Sequence, residues 1–215
     1  MTAVLLLAAA AVHNTAHADE APFFDGKTLS GWTGEDGLWA VERTGGERGE
    51  EVPAVVGRSP GLDHNSFLTT NREYGDFDLS FEVKLTPDDA NSGVQFRSVR
   101  IAGDGEEAGP GGEMRGYQAD IGATWWGKLY EENARGMLYG NEPGQNEKAA
   151  AAVTAGGWNT YRIRCEGDRV RTWLNGVPAV DLTDPDGRKT GVIGLQLHSG
   201  GPLVVRFRRF QMKEL

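Results

Sequence analysis

A chain of 215 residues with 39% apolar and 25% charged side chains has the make-up of a folded globular protein, which excludes a disordered tail. Its length suits one substantial domain or a single large β-sandwich. The formal net charge of −9 and the lack of any basic stripe argue against a nucleic-acid partner, since phosphate binding draws on clustered Lys and Arg.

The first segment reads as a leader. A short apolar run, VLLLAAAAV (4–12), is followed by Ala16-His17-Ala18 before Asp19, the small-x-small form of a signal-peptidase site. The run is too short to span a bilayer. The expectation is a removed export signal over residues 1–18 and a mature domain over 19–215. The protein is then periplasmic or secreted, with no membrane insertion. A buried N-terminal helix is the alternative reading of the same residues.

Beyond the leader the dominant period is two. LWAVER (38–43) and VPAVVG (52–57) read as early strands joined by a Gly/Glu-rich loop. FDLSFEVKL (77–85) sets Phe77, Leu79, Phe81, Val83 and Leu85 against Asp78, Ser80, Glu82 and Lys84, the alternation of a half-buried strand. GVQFRS (93–98) alternates in the same way. AGDGEEAGPGGEM (102–114) has no apolar period and reads as a loop, after which GYQADIG (116–122) is again a strand. NEKAAAAVTAG (146–156) is the helical-looking stretch, long enough for one or two turns. NTYRIRCEG (159–167) and DRVRTWLNG (168–176) are strands separated by a tight turn at Gly167-Asp168. Asn175-Gly176 is the positive-φ pair of a type I′ hairpin leading into VPAVDL. IGLQLHSG (193–200) and PLVVRFRRFQMK (202–213) close the chain as strands. Cys165, the only cysteine, alternates with Tyr161 and Ile163, so it is expected as a buried core thiol with no disulfide partner. Many short strands with tight turns predict an all-β, two-sheet antiparallel jelly-roll sandwich.

Three of these strands carry bulky hydrogen-bonding groups where the outward face should be: Gln95 and Arg97, Gln118 and Asp120, Gln196 and His198. If the strands share a sheet, the six side chains form one polar patch. Trp125, Trp126, Tyr130 and Tyr139 follow Asp120 in what reads as an irregular segment, among Lys128, Glu131, Glu132 and Arg135. Aromatic rings beside amide, carboxylate and guanidinium groups suit sugars, whose C–H faces stack on rings and whose hydroxyls bind planar polar groups. A solvated polar sheet face is the plain alternative.

The order of FFDGKTLSGW (23–32), NSGVQFRS, GYQADIG, GKLYEE, RGMLY, WNTYRIRCEGDRVRTWLNG, GVIGLQLHSG and VRFRRFQMKEL resembles the 3-keto-disaccharide hydrolase domain family, from about Pro22 to Leu215. The resemblance implies a concanavalin-type jelly roll holding a sugar on its concave sheet. It also implies action on glycosides whose 3-hydroxyl has become a ketone, by hydrolysis or by elimination and hydration. A 3-ketone acidifies the C2 hydrogen, so a base can remove it and the glycosidic oxygen can leave without an oxocarbenium ion. Such a site needs a base, an acid and donors for the enolate. On that basis Glu131 or His198 is expected as base or acid, Arg97 and Lys128 as enolate stabilisers and Asp120 as orienter. Asn91, Gln95, Gln118 and Gln196 are expected to bind hydroxyls, with Trp125, Trp126, Tyr130 and Arg135 completing the substrate site.

No cofactor is expected and ligand spacing predicts no metal, with Asp120, Glu131 and His198 as the residues of the alternative, an oxygen-rich divalent site. There is no Gly-x-Ser-x-Gly elbow, P-loop or His-Glu-x-x-His, and no Glu-x-Asp-x-x-Glu strand of the kind two-carboxylate glucanases carry. The runner-up to an enzyme is a non-catalytic, lectin-like carbohydrate-binding module of the same fold. Fold alone does not choose between them.

Overall fold

Period-two alternation dictates strands that each bury one face, and such strands are stable only when two layers press those faces together. The computed structural model describes residues 22–102 and 111–215. The expected export signal over 1–18 lies outside these residues, as does most of the expected loop over 102–114.

Among the described residues, fourteen strands form in chain order: β1 (Trp32–Thr33), β2 (Trp39–Gly45), β3 (Glu51–Ser59), β4 (Ser66–Thr70), β5 (Phe77–Thr86), β6 (Ser92–Arg100), β7 (Met114–Ile121), β8 (Leu129–Glu132), β9 (Gly136–Tyr139), β10 (Asn159–Glu166), β11 (Arg169–Leu174), β12 (Val177–Thr183), β13 (Val192–Leu197) and β14 (Leu203–Glu214). They make two seven-stranded sheets. The front sheet runs β1-β4-β13-β6-β7-β8-β9 and the back sheet β12-β11-β10-β5-β14-β3-β2, with every pairing within them antiparallel. The one α-helix among the described residues, α1 (Glu147–Ala151), is a little over one turn, within the expected 146–156 stretch.

Between the sheets lies the core that the alternation predicts. Phe77, Leu79, Phe81 and Val83 of β5 face Val94 and Phe96 of β6 and Tyr117, Ala119 and Ile121 of β7, all nearly inaccessible to water. Phe77 and Phe96 meet edge to face across the layers at 6.3 Å, and Phe96 stacks on Tyr117 at 5.4 Å. Cys165 is buried in this core, and burial pushes its thiol up to about 12. The Asn175-Gly176 turn joins Leu174 to Val177 with φ of 49° and 80°, the two left-handed residues a type I′ hairpin requires.

Two features depart from the sequence reading. The segment expected to be irregular after Asp120 contains the β8–β9 hairpin, so Tyr130 and Tyr139 sit on strands. Four-residue strands at a sheet edge leave too few positions for a period to show. The second departure is a bulge in β6. Phe96 pairs with Tyr117 and Val99 with Arg115, so two residues, Arg97 and Ser98, stand opposite Gly116 alone. Arg97 takes a left-handed φ of 46°. A bulge changes the parity of every residue after it, which decides where Arg97 points.

Candidate functional site on the front sheet

Because Tyr117, Ala119 and Ile121 enter the core, Gln118 and Asp120 must stand on the outer face of the front sheet. The same logic on β6 and β13, whose Val94, Ile193, Leu195 and Leu197 are core residues, puts Gln95 and Gln196 on that outer face. The registers align them. Gly194 pairs with Gln95 and Gln95 with Gln118, while Asp120 lies opposite Gly93. Asp120 also donates its N–H to the Lys128 carbonyl. One row across the sheet therefore reads Gly194, Gln95, Gln118 and Tyr130 (the partner of Gln118 on β8), and the next holds Gln196, Gly93, Asp120 and Lys128. Gly93 keeps the second row open: a Cβ there would stand 2.6 Å from Gln118 Cδ.

These side chains form a directional chain of hydrogen bonds. Ser98 Oγ donates to Gln95 Oε1 at 2.7 Å, Gln95 Nε2 to Gln118 Oε1 at 3.0 Å, and Gln118 Nε2 to Asp120 Oδ1 at 2.9 Å. A carboxylate only accepts, so Asp120 fixes which end of each amide faces which neighbour. All four are buried, and so is Gln196. The chain stops there. Among the described residues, Asp120 Oδ2, both amide atoms of Gln196 and, just before β6, Asn91 Oδ1 are buried without a partner. A buried polar atom left unpaired costs about 1–3 kcal/mol, so a cluster of them on one face points to a ligand that completes them.

Burial raises the Asp120 carboxyl from 3.8 to about 7, Glu132 pushing the same way, while the Gln118 hydrogen bond and Lys128 oppose it. Burial also raises Glu132, with Glu113 adding to it. Asp120 is thus poised to exchange a proton near neutrality. Lys128 rests over the exposed Trp125 ring at 5.3 Å and donates to Asn141 Oδ1 at 3.2 Å. His198 follows β13 on the strand's outward parity, half-buried, with Nδ1 2.7 Å from the Ser199 carbonyl.

Four expected site residues stand elsewhere. Arg97, turned by the bulge, runs toward the back sheet. It donates to the Gly75 and Gly167 carbonyls at 3.0 and 2.9 Å and pairs with Asp76 at 2.7 Å. It ties two loops together and does not face Asp120. Glu131 shares the inward parity of Leu129, and pairs with Arg135, which also binds Asp184 through two hydrogen bonds of 3.0 and 2.5 Å. Tyr117 Oη donates to the same Asp184 at 2.5 Å. Glu131 and Arg135 therefore belong to an ion cluster on the inner side of the front sheet. Trp126 packs in the core, only 7% exposed, leaving Trp125 as the tryptophan at the surface.

Sequence reasoning also missed a residue that the strand period could have found. Leu129 points inward, so Lys128, Tyr130 and Glu132 point outward, and Glu132, not Glu131, is the glutamate near Asp120. Among the described residues no three His, Cys, Asp or Glu side chains gather where they could hold a metal ion. No described helix is long and apolar enough to cross a membrane.

Comparison with known proteins agrees with this architecture. A candidate glycosyl hydrolase from Parabacteroides distasonis superposes with a TM-score of 0.56 at 22% identity, over 88% of this chain and 96% of its own. A second from the same organism gives 0.54 at 17% identity, over 89% and 92%. A Bacillus subtilis protein of unknown function with a galectin-like fold gives 0.57 at 11% identity, over 86% and 90%. At these identities the likeness is one of fold. No curated protein matches the chain in sequence. The family model described as the 3-keto-alpha-glucoside-1,2-lyase-like domain matches residues 19–213, nearly the whole chain and every described site residue, and the protein belongs to that family.

Proposed function

We propose that this protein is a carbohydrate-active enzyme that cleaves 3-keto-glycosides on the outer face of the front sheet, with Asp120 as the group that moves the proton. The observation that carries this reading is the free Oδ2 of a buried carboxyl raised to about 7, braced by amides on its other oxygen. A purely binding site has no use for a group that titrates there. Membership of a family named for 3-keto-glucoside lyases supports the substrate class.

The chemistry follows from the ketone. A carbonyl at C3 acidifies the C2 hydrogen, and a carboxylate at Asp120 can take that proton while the C3 oxygen gathers negative charge. Lys128 supplies the nearby positive charge for that enolate. The enolate then collapses to a C1–C2 double bond and expels the glycosidic oxygen, which leaves protonated as the alcohol. Water added across the double bond completes net hydrolysis. His198, on the adjoining end of the face, is the second proton-transfer group in this scheme, and Gln196 and Asn91 bind sugar hydroxyls through their unpaired atoms. If residues 1–18 act as an export signal, the reaction takes place outside the cytoplasm.

Incubation with a 3-keto-glucoside in deuterated water tests the scheme. The expected result is aglycone release with deuterium appearing at C2, while the unoxidised glucoside stays intact. Efficient hydrolysis of the unoxidised glucoside would overturn elimination. Sugar binding without turnover of any 3-keto-glycoside would instead establish a lectin-like module.

A further inference from the structure

Arg100 ends β6 beyond the bulge, with its Cα opposite Met114. Met114 packs with Phe67 and Val192 in a small apolar cluster separate from the main core. Phe67 and Thr69 stand with Gln95 around the space above Gly194, with atoms 3.7, 3.2 and 3.4 Å from where a Cβ would be, so this cluster lies on the outer face that holds Asp120. The Arg100 guanidinium reaches over that face. Its Nε donates to Thr69 Oγ1 at 2.7 Å, and Nη2 donates to the same hydroxyl and to the Thr70 carbonyl at 3.3 Å. Both threonines are buried.

Among the described residues, Arg100 meets no carboxylate, and its Nη1 has no partner. The back sheet provides the contrast: Arg58, Arg162, Arg169 and Arg208 on its outer surface each pair with Glu or Asp. Burial acts on Arg100 with no counter-charge to offset it, drawing its pKa down, whereas the shifted arginines of the back sheet are raised by their partners. A partly desolvated cation held in place by neutral hydroxyl and carbonyl groups is arranged for an anion that arrives from outside.

We propose that Arg100 forms an anion subsite for a monoanionic group carried on a sugar, the carboxylate of a uronic acid or a sulfate ester. The proposal rests on the reading of the outer face as a glycoside site. Thr69 pairs with Gly194, Gly194 with Gln95, and Gln95 with Gln118. Three inter-strand steps of ~4.8 Å put the guanidinium's anchor roughly 14 Å from Gln118. That separation places the anion on a sugar beside the one that reacts. Nη1, the nitrogen that neither threonine engages, keeps its two N–H groups for the oxygens of that anion, a charge-assisted contact.

The test is calorimetric binding of unoxidised disaccharides, which the wild-type protein is not expected to consume. Glucosyl-glucose is compared with glucosyl-glucuronic acid and with its 6-O-sulfated glucose analogue, each in α- and β-linked forms, at low and at physiological salt. The acidic sugars should bind about ten- to a hundredfold more tightly than the neutral one at low salt, and less so as salt rises. A gain shared by the sulfate defines a general monoanion site, and a gain confined to the carboxylate defines a uronate site. Arg100→Gln should reduce the preference to under about threefold while leaving neutral-sugar affinity alone, and Arg100→Lys should retain part of it. Equal binding of neutral and acidic sugars, a preference that survives in Arg100→Gln, or no binding of any of them overturns the subsite. Turnover of 3-keto-glycosides without regard to charge overturns the subsite and leaves the catalytic reading standing. Anion-selective binding without turnover does the reverse.

Discussion

Asp120 carries two obligations that conflict, and the conflict can be measured. A carboxyl raised to about 7 on folding destabilises the protein where the unfolded chain would ionise and the folded one resists. Below about pH 4 both states are protonated and the penalty is absent; it grows between about 4 and about 7 and stays constant above. Asp120→Asn keeps an acceptor for Gln118 and removes the charge. It should therefore lower turnover of a 3-keto-glycoside by about 10²–10⁴ while stabilising the protein at pH 8 by about 1–3 kcal/mol. Thermal melts at pH 8 and pH 4 check the second half, because the gain must vanish at the lower pH. The adjacent glutamates should separate just as cleanly. Glu132→Gln removes a charge that helps raise Asp120, so the kinetic limb governed by Asp120 should move to lower pH. Glu131→Gln weakens the pairing with Arg135 and should cost about 1–2 kcal/mol of stability in urea denaturation, with turnover retained. The types of residue in the patch were legible in the sequence, since Gln95, Gln118, Asp120 and Gln196 all follow strand parity. The choice between Glu131 and Glu132 depended on recognising β8, a strand too short to announce itself.

Elements were legible wherever alternation ran long enough. β5, β10, β11 and β14 fall where the period places them, and the Asn175-Gly176 hairpin has the turn its residues demand. What alternation cannot see is one inserted residue. The bulge at Arg97 and Ser98 reverses parity, sending Arg97 toward the back sheet, while Ser98 begins the hydrogen-bond chain. Replacing Arg97 with Leu should destabilise the fold by about 2–4 kcal/mol, because two carbonyls and Asp76 lose their donor, and denaturant titration reads that loss. Gly93→Ala addresses the neighbouring part of the strand. Gly93 needs no unusual backbone angle, so what an added methyl group meets first is Gln118, which must move off Asp120. Losing that hydrogen bond should raise Asp120 further and shift its kinetic limb to higher pH, the opposite direction to Glu132→Gln.

At the scale of the molecule, the two outer faces have divided labour. The back sheet wears crossed Arg–Asp and Arg–Glu pairs, such as Arg162 with Asp78 and Arg169 with Asp181, which satisfy one another at a solvent surface. Among the described residues, the front sheet wears amides, one unpaired carboxyl oxygen and an arginine without a counter-ion. Two carboxylates give stability a maximum between acid and alkali. Asp184, held down at about 2 chiefly by Arg135, contributes stability that is complete above about pH 4 and lost as pH falls toward 2. Asp120 opposes folding from about pH 4 upward. The wild-type melting temperature should peak at about pH 4 and decline toward about pH 7, and in Asp120→Asn that decline should flatten while the acid limb remains.

The row of amides also decides an address for a proton. When Asp120 is neutral its hydrogen can sit on either oxygen, but Oδ1 is occupied as an acceptor by Gln118 Nε2, and Gln118 is held in that orientation by Gln95 and Ser98 behind it. The hydrogen is therefore delivered to Oδ2, the oxygen with nothing else to bind. A run of three hydrogen bonds, from Ser98 through two amides, thus sets the direction in which an acid points.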